Sequence, residues 1–330
     1  MQSADGKRGQ RGVSQRPPLA TRAADGVRRA SSAPGYGLLR PLVDVLEGAI
    51  GSARDVDPFV RDPRVVARLA PLVALANRYF STEFRGFEKV PARGPFLLIG
   101  NHSGGAETND FWFLLGKWIA ERGADSPLYA LAYDLLLAVP ALSWTLRRLG
   151  VVPASPANAR GALERGAAVL VFPGGDYEVF RPWSERNRVD FGRHTGYVEI
   201  ALQCRVRVVP VVIYGAHQST FVLTRGRFLA HLLGTDRIRV NVFPLIWNLP
   251  FGLTPAFVPS VQLPSKVTIE FLPPLDWSRL GRRAATDPGV VQACNAEVVG
   301  LMQSCLDRLA AETPHPILAR FTGLLPRLSW

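Results

Sequence analysis

Residues 95–110, Pro95-Phe-Leu-Leu-Ile-Gly-Asn-His-Ser-Gly-Gly-Ala-Glu-Thr-Asn-Asp110, carry the pattern from which the rest of the chain is read. The apolar run closed by Gly100 predicts a short strand buried on both faces. A polar, glycine-bearing turn follows, and Phe111 to Glu121 then has the spacing of a helix. Strand, turn and helix in that order form the local unit of an α/β fold. In open sheets of that kind, reactive groups gather just past the carboxyl ends of the strands.

Working outward, the same alternation recurs. Val65 to Phe80 has helical spacing despite Pro71. Ser155-Pro156 followed by Asn158 to Arg165 and Gly166 supplies a cap, a first-turn proline and a terminal glycine, a helix signature. Ala167 to Phe172 predicts the next strand, stopped by Pro173, Gly174 and Gly175. Val206 to Tyr214 and Lys266 to Phe271 predict two more. Leu128 to Leu149 looks helical with Asp134 and Pro140 inside it, and is expected to add to an apolar outer face or to pack as a helix kinked at Pro140. Val291, Cys294, Val298, Leu301, Cys305 and Leu309 recur at spacings of three and four, predicting an amphipathic helix. The expectation is one α/β domain with a mostly parallel central sheet flanked by helices. It spans residues 36–330, with a motif-bearing core at about 95–274 and a C-terminal helical segment at about 287–330.

Composition narrows the partners. The 330 residues carry a net charge of +12, yet 47% are hydrophobic, which excludes disorder for the bulk of the chain. Residues 1–35 read as a flexible basic leader holding +5 of that charge without apolar periodicity. Basic and apolar together fit an anionic membrane surface or an acyl-phosphate ligand. No stacking aromatics alternate with basic residues, so nucleic acid is not an expected partner. Cys204, Cys294 and Cys305 are too scattered for a disulfide framework or a zinc site, and no metal is expected. With no N-terminal apolar core there is no expected secretory signal. Val240 to Ser265 lacks charge and is long enough to span a bilayer, but Pro244, Pro250, Pro255, Pro259 and Pro264 break any helix there. An irregular apolar run of this kind is expected to dip into a membrane or bind an acyl chain, its plainer reading being a buried loop.

His102 directly follows the predicted buried strand, and Glu107 and Asp110 lie five and eight residues on. A histidine becomes an effective general base when a carboxylate fixes its tautomer and stabilises the imidazolium. The plainer reading is a turn histidine followed by acids at a helix N-terminus, where negative charge is favoured. Val171-Phe-Pro-Gly-Gly-Asp-Tyr-Glu178 leaves a second predicted strand equally abruptly, and its glycines permit close backbone approach.

Asn101-His-Ser-Gly-Gly with an acid and an apolar helix behind it resembles the first block of the glycerolipid (lysophospholipid) acyltransferase family. Leu149-Gly-Val-Val-Pro-Ala-Ser with Asn158 to Gly166, then Val171 to Glu178, then Val209-Pro-Val-Val, are similar to its later blocks and fall in its order. Pro264 to Pro274 resembles a late strand of the branch close to monoacylglycerol and diacylglycerol acyltransferases. The resemblance implies transfer of a fatty acyl group from acyl-CoA or acyl carrier protein to a hydroxyl of a glycerolipid or lysophospholipid, with no cofactor or metal. It implies His102 as base, Asp110 or Glu107 as its carboxylate, and substrate contacts from Ser103, Gly104, Gly105, Pro173, Gly174, Gly175, Glu178 and Arg181. Amides near Gly104 or Gly174 and Gly175 would hold the oxyanion. The family's usual His-x4-Asp spacing is absent; Asp110 is favoured because it precedes the apolar helix, and Glu107 stays open. Gly174 and Gly175 stand where phosphate-binding members have Glu-Gly-Thr-Arg, so Arg181, Arg186 or Arg188 would have to substitute. The expected place of work is the cytoplasmic face of a membrane, peripherally bound. Two other readings stay open: a catalytically idle lipid-binding protein of the same fold, and a serine esterase using Ser103 with His217 or His194, although Gly-x-Ser-x-Gly is missing.

Overall fold

The computed structural model describes residues 56–322, apart from 106, 139, 233–241, 257, 259 and 260; the expected leader at 1–35 lies outside the described residues. Helix α1 (Pro63–Tyr79) starts at Asp62, whose side chain accepts from the Arg64 amide, with Pro63 in the first turn. Strand β1 (Glu83–Arg85) leads to β2 (Phe96–Gly100), which is buried at every position. Then come α2 (Asn109–Arg122), β3 (Leu128–Ala132), α3 (Pro140–Arg148), β4 (Val151–Pro153), α4 (Pro156–Glu164) and β5 (Ala168–Val171). The order continues with α5 (Gly175–Val179), α6 (Gly196–Cys204), β6 (Arg207–Tyr214), β7 (Phe221–Thr224), α7 (Arg227–Leu232), β8 (Leu245–Asn248) and β9 (Gly252–Pro255). Strand β10 (Thr268–Phe271), α8 (Pro288–Glu312) and α9 (Pro316–Thr322) complete it.

Seven strands make the main sheet in the order β1-β10-β6-β2-β5-β3-β4. The neighbours from β6 to β4 run parallel, while β10 is antiparallel to β6 and carries β1 alongside it. Successive residues of β2 face opposite layers, as a strand requires. Phe96 and Leu98 pack with Val66 of α1, Phe113 and Trp118 of α2 and Leu146 of α3. Leu97 and Ile99 pack with Ala162 of α4, Val198 of α6 and Met302 of α8. The sheet is therefore covered on both sides, which explains why its central strands read as unbroken apolar runs.

Three expectations change. Leu128 to Leu149 is not one helix: Leu128–Ala132 forms β3, hydrogen-bonded between β5 and β4, and Pro140 opens a new helix instead of kinking an old one. The proline-rich run is not irregular throughout. β8 and β9 form a hairpin, and with β7 an antiparallel sheet in the order β7-β8-β9. Pro250 sits in the connection and Pro255 on the edge strand, where a missing N–H costs little. In α8 the buried stripe passes through Met302, while Leu301 is exposed. Among the described residues, no helix is long and apolar enough to cross a membrane.

Candidate active site

Strands β2, β5 and β6 lie side by side: Ile99 pairs with Val171 at the end of β5, and Gly100 with Val211, beyond which β6 runs on to Tyr214. The segments that leave them converge at one edge of the sheet. Gly100 lacks a Cβ where one would run into the Phe172 ring, so the two strand ends close up. The Phe172 ring then stacks on the His102 imidazole, with centroids 4.7 Å apart and planes 18° from parallel.

The loop after β2 is pinned through its backbone. Asn101, fully buried, pairs its side-chain amide with Ile213, donating to the carbonyl at 2.9 Å and accepting from the N–H at 2.7 Å. Asp110, in the first turn of α2 and also fully buried, gathers three donors on Oδ2: His102 Nδ1 at 2.7 Å, Ser103 N–H at 2.6 Å and Gly104 N–H at 3.0 Å. No side chain fits at Gly104, because a Cβ there would meet the Asp110 carboxylate and the Asn109 amide. Glu107, the other carboxylate expected near the histidine, instead accepts from Gln262 at 2.6 Å.

The pair is electrostatically coherent. Burial disfavours a charged His102, but the Asp110 charge and hydrogen bond outweigh it and hold the pKa above the ordinary 6.5. Burial likewise disfavours Asp110 carboxylate, yet His102 and the two loop amides bring its pKa below the ordinary value. With Nδ1 bonded to Asp110, Nε2 is the ring nitrogen left for a substrate, and the His102 side chain keeps 13% of its surface exposed.

Glu178 and Arg181, expected as substrate contacts, are buried and bonded to neighbouring backbone. Glu178 on α5 is fully buried and accepts from the His102 N–H at 2.8 Å and the Asp190 N–H at 3.0 Å. Burial pushes its pKa up to about 7 against the opposing Arg181 charge and these backbone donors. Arg181, 1% exposed, donates to the carbonyls of His102 (2.6 Å), Glu178 (2.9 Å) and Arg186 (3.2 and 3.0 Å), and to Ser103 Oγ (3.0 Å). Those bonds use all five of its donors, leaving none for a phosphate. Arg186 stacks on Trp183, and Arg188 stands 4.0 Å from Asp190. Ser103 is fully buried, its hydroxyl accepting from Asn101 and Arg181. His217 meets the Arg181 carbonyl at 2.9 Å. That arrangement does not build the Ser103 nucleophile with a His217 base.

The glycine amides are also partly spent. Gly104 donates to Asp110, and Gly175 to the Phe172 carbonyl at 3.1 Å. Pro173 and Gly174 are buried beneath α5, and Gly174 packs where a Cβ would strike Glu178.

Known proteins share sequence with this chain. A family model described as Acyltransferase matches residues 81–214. An uncharacterized protein of Mycobacterium leprae (strain TN) is 30% identical over 260 residues, which is 78% of this chain and 68% of that protein. The chain belongs to the acyltransferase family. Another uncharacterized protein, from Mycobacterium tuberculosis (strain ATCC 25618 / H37Rv), is 30% identical over 78% of this chain and 70% of its own length. A Bos taurus protein, "DGAT1/2-independent enzyme synthesizing storage lipids", is 23% identical over 58% of this chain and 55% of that protein. The crystal structure of the 1-acyl-sn-glycerophosphate (LPA) acyltransferase PlsC from Thermotoga maritima covers 88% of this chain and 99% of its own, with 18% identity and a TM-score of 0.47.

In this acyltransferase the matched region ends at Tyr214, one residue past the Ile213 backbone that anchors Asn101. Three site residues escaped the sequence reading. Asn101 and Phe172 sit inside quoted motifs, but only the pairing of strand ends gives them roles. Gln262 lies beyond the matched region, in a charge-free run that also holds Asn248, so no sequence signal singles it out. It donates to the Gly104 carbonyl at 3.2 Å, accepts from Asn109 and Ser219, and so ties that run to the His102 loop.

Proposed function

We propose that this acyltransferase moves a fatty acyl group from a thioester, acyl-CoA or acyl carrier protein, to a hydroxyl of a glycerolipid. The observation that carries the reading is the His102–Asp110 pair, with Nε2 left outside it. Nε2 takes the proton of the acceptor hydroxyl as that oxygen forms a bond to the thioester carbonyl carbon. The C–S bond then breaks, and the imidazolium returns the proton to the leaving thiolate. Asp110 keeps Nδ1 protonated and stabilises the imidazolium between these steps. A neutral acceptor is favoured over a phosphorylated one, since Arg181 is committed to backbone and Gly174 and Gly175 replace a phosphate-gripping arginine block. The storage-lipid name of the bovine relative supports the same choice.

The surface supports work at a bilayer. Leu223, Phe228, Trp247, Phe251 and Leu253 are each more than half exposed, and all lie on or beside the small sheet. Isolated exposed apolar residues are ordinary, but a group this concentrated marks an interaction face.

Labelled palmitoyl-CoA offered with monoacylglycerol, diacylglycerol, lysophosphatidic acid and a long-chain alcohol, followed by identification of the lipid product, tests the reading. Esterification of a neutral glycerolipid that disappears in a folded His102→Ala variant is expected. Undiminished transfer by that variant would remove His102 from the mechanism.

A further inference from the structure

A cavity of about 420 Å³ lies between the small sheet and residues 261–263, within the size range of small-molecule sites. Leu223, Ile246, Trp247 and Leu263 supply apolar walls, and Ser219 and Thr220 form a polar end. Leu223, Trp247 and Val261 are each more than half exposed, so the walls continue onto the apolar face described above.

Two observations point to a ligand with one polar end. Thr220 is only 5% exposed, lines the cavity, and its hydroxyl has no partner among the described residues. Buried hydroxyls are rarely left unpaired, so a group arriving in the cavity would complete it. That polar end also touches the His102 loop. A methyl added at Gly105 would come within 3.0 Å of Thr220 Oγ1 and 2.8 Å of Gln262 Nε2. Gln262 lies between the cavity-lining Val261 and Leu263 while bonding Gly104 and Glu107.

We propose that this cavity seats the hydrocarbon chain of an acyl substrate, with the carbonyl end at Thr220 and the chain running outward between Trp247 and Leu263. The proposal rests on the acyl-transfer reading and adds where the chain lies and what measures its length. The chain belongs either to the thioester donor or to the glycerolipid acceptor, and the chemistry of the cavity suits both.

Dibromostearate, whose bromines quench nearby indole fluorescence, is titrated into the full chain and a Trp247→Phe variant. Saturable quenching is expected in the first and its main component is lost in the second. Leu263→Trp, which fills the cavity, weakens that binding at least tenfold; Leu223→Trp, at an exposed wall position, serves if the first variant fails to fold. In turnover, donors from octanoyl to stearoyl are compared with a fixed acceptor, and acceptors of graded chain length with a fixed donor. On the arm that fills the cavity, each added methylene lowers KM about fourfold, corresponding to about 0.8 kcal/mol, until the walls end. Leu263→Trp flattens that arm and leaves the other unchanged. Thr220→Val lowers kcat at least tenfold while the quenching survives. Quenching that does not saturate, or chain-length series unaltered in the filled variant, would overturn the proposal while leaving acyl transfer standing. Should no acyl transfer occur at all, the quenching still decides the cavity.

Discussion

Asp110→Asn probes the centre of the site with almost no change of shape. Oδ2 of Asp110 receives the His102 ring and the Ser103 and Gly104 amides in a fully buried setting. In the wild type its charge holds the His102 pKa above 6.5. A general base must be neutral, so kcat/KM is expected to rise with pH as His102 deprotonates through that raised pKa. With the charge gone, burial and the nearby Arg181 charge pull the ring's pKa down, and the acid limb moves to lower pH. The rate falls at every pH because the amide cannot stabilise the imidazolium. General-base catalysis contributes about 10²–10⁴ in rate, so a loss of that order is expected, about 2.7–5.4 kcal/mol of barrier. The assay is acyl transfer across pH 5–9, with circular dichroism to establish folding. Asp110→Ala is less informative: orphaning two buried loop amides costs about 2–6 kcal/mol at ~1–3 each, enough to unfold many domains. A folded Asp110→Asn protein with the wild-type limb and rate would refute the reasoning. So would Glu107→Gln shifting the limb, since Glu107 bonds Gln262 instead.

Arg181→Met removes five hydrogen bonds from a buried site and is expected to lower stability by about 3–5 kcal/mol in urea unfolding; a KM effect confined to phosphorylated acceptors, with stability unchanged, would restore it as a ligand contact. Ser103→Ala orphans donors from Asn101 and Arg181, costing about 1–3 kcal/mol, yet keeps His102-dependent turnover; abolished turnover in a stable protein would revive a serine nucleophile. Gly100→Ala drives a methyl into the Phe172 ring that supports His102, and a shift of about 1 Å there is worth roughly 10²-fold in kcat. Trp247→Ser with Phe251→Ser is expected to reduce flotation with anionic vesicles, and unaltered flotation would refute a membrane contact through these residues.

What could be read from residues alone was whatever local chemistry decides. β2, β5 and β6 announce themselves because both faces are buried, and α4 because Ser155, Pro156 and Gly166 mark its ends. Leu128 to Leu149 misleads because a short apolar run reads the same as strand or helix, and only pairing with β5 and β4 selects the strand. Pro250 and Pro255 argue against regular structure until the hairpin places them at a turn and an edge. Asp110 was favoured over Glu107 from its place at the helix start, which is where the hydrogen bond to His102 originates. Glu178 and Arg181 look like ligand contacts because charged residues after a Gly-Gly turn are normally exposed. Their burial comes from packing between segments 76 and more residues apart, which no local pattern records.

The loop bearing His102 is held by main-chain atoms. Glu178 grips its N–H, Arg181 its carbonyl, and Asp110 the next two amides. The imidazole contributes little to the scaffold that presents it. Architecture and chemistry are therefore separable at this position: a lineage could exchange residue 102, fall silent as a catalyst, and keep the same sheet, cavity and exposed apolar surface. The same independence offers a laboratory handle. In His102→Ala the space beneath the Phe172 ring is preserved by its surroundings, so free imidazole added to the solution has a ready-made berth.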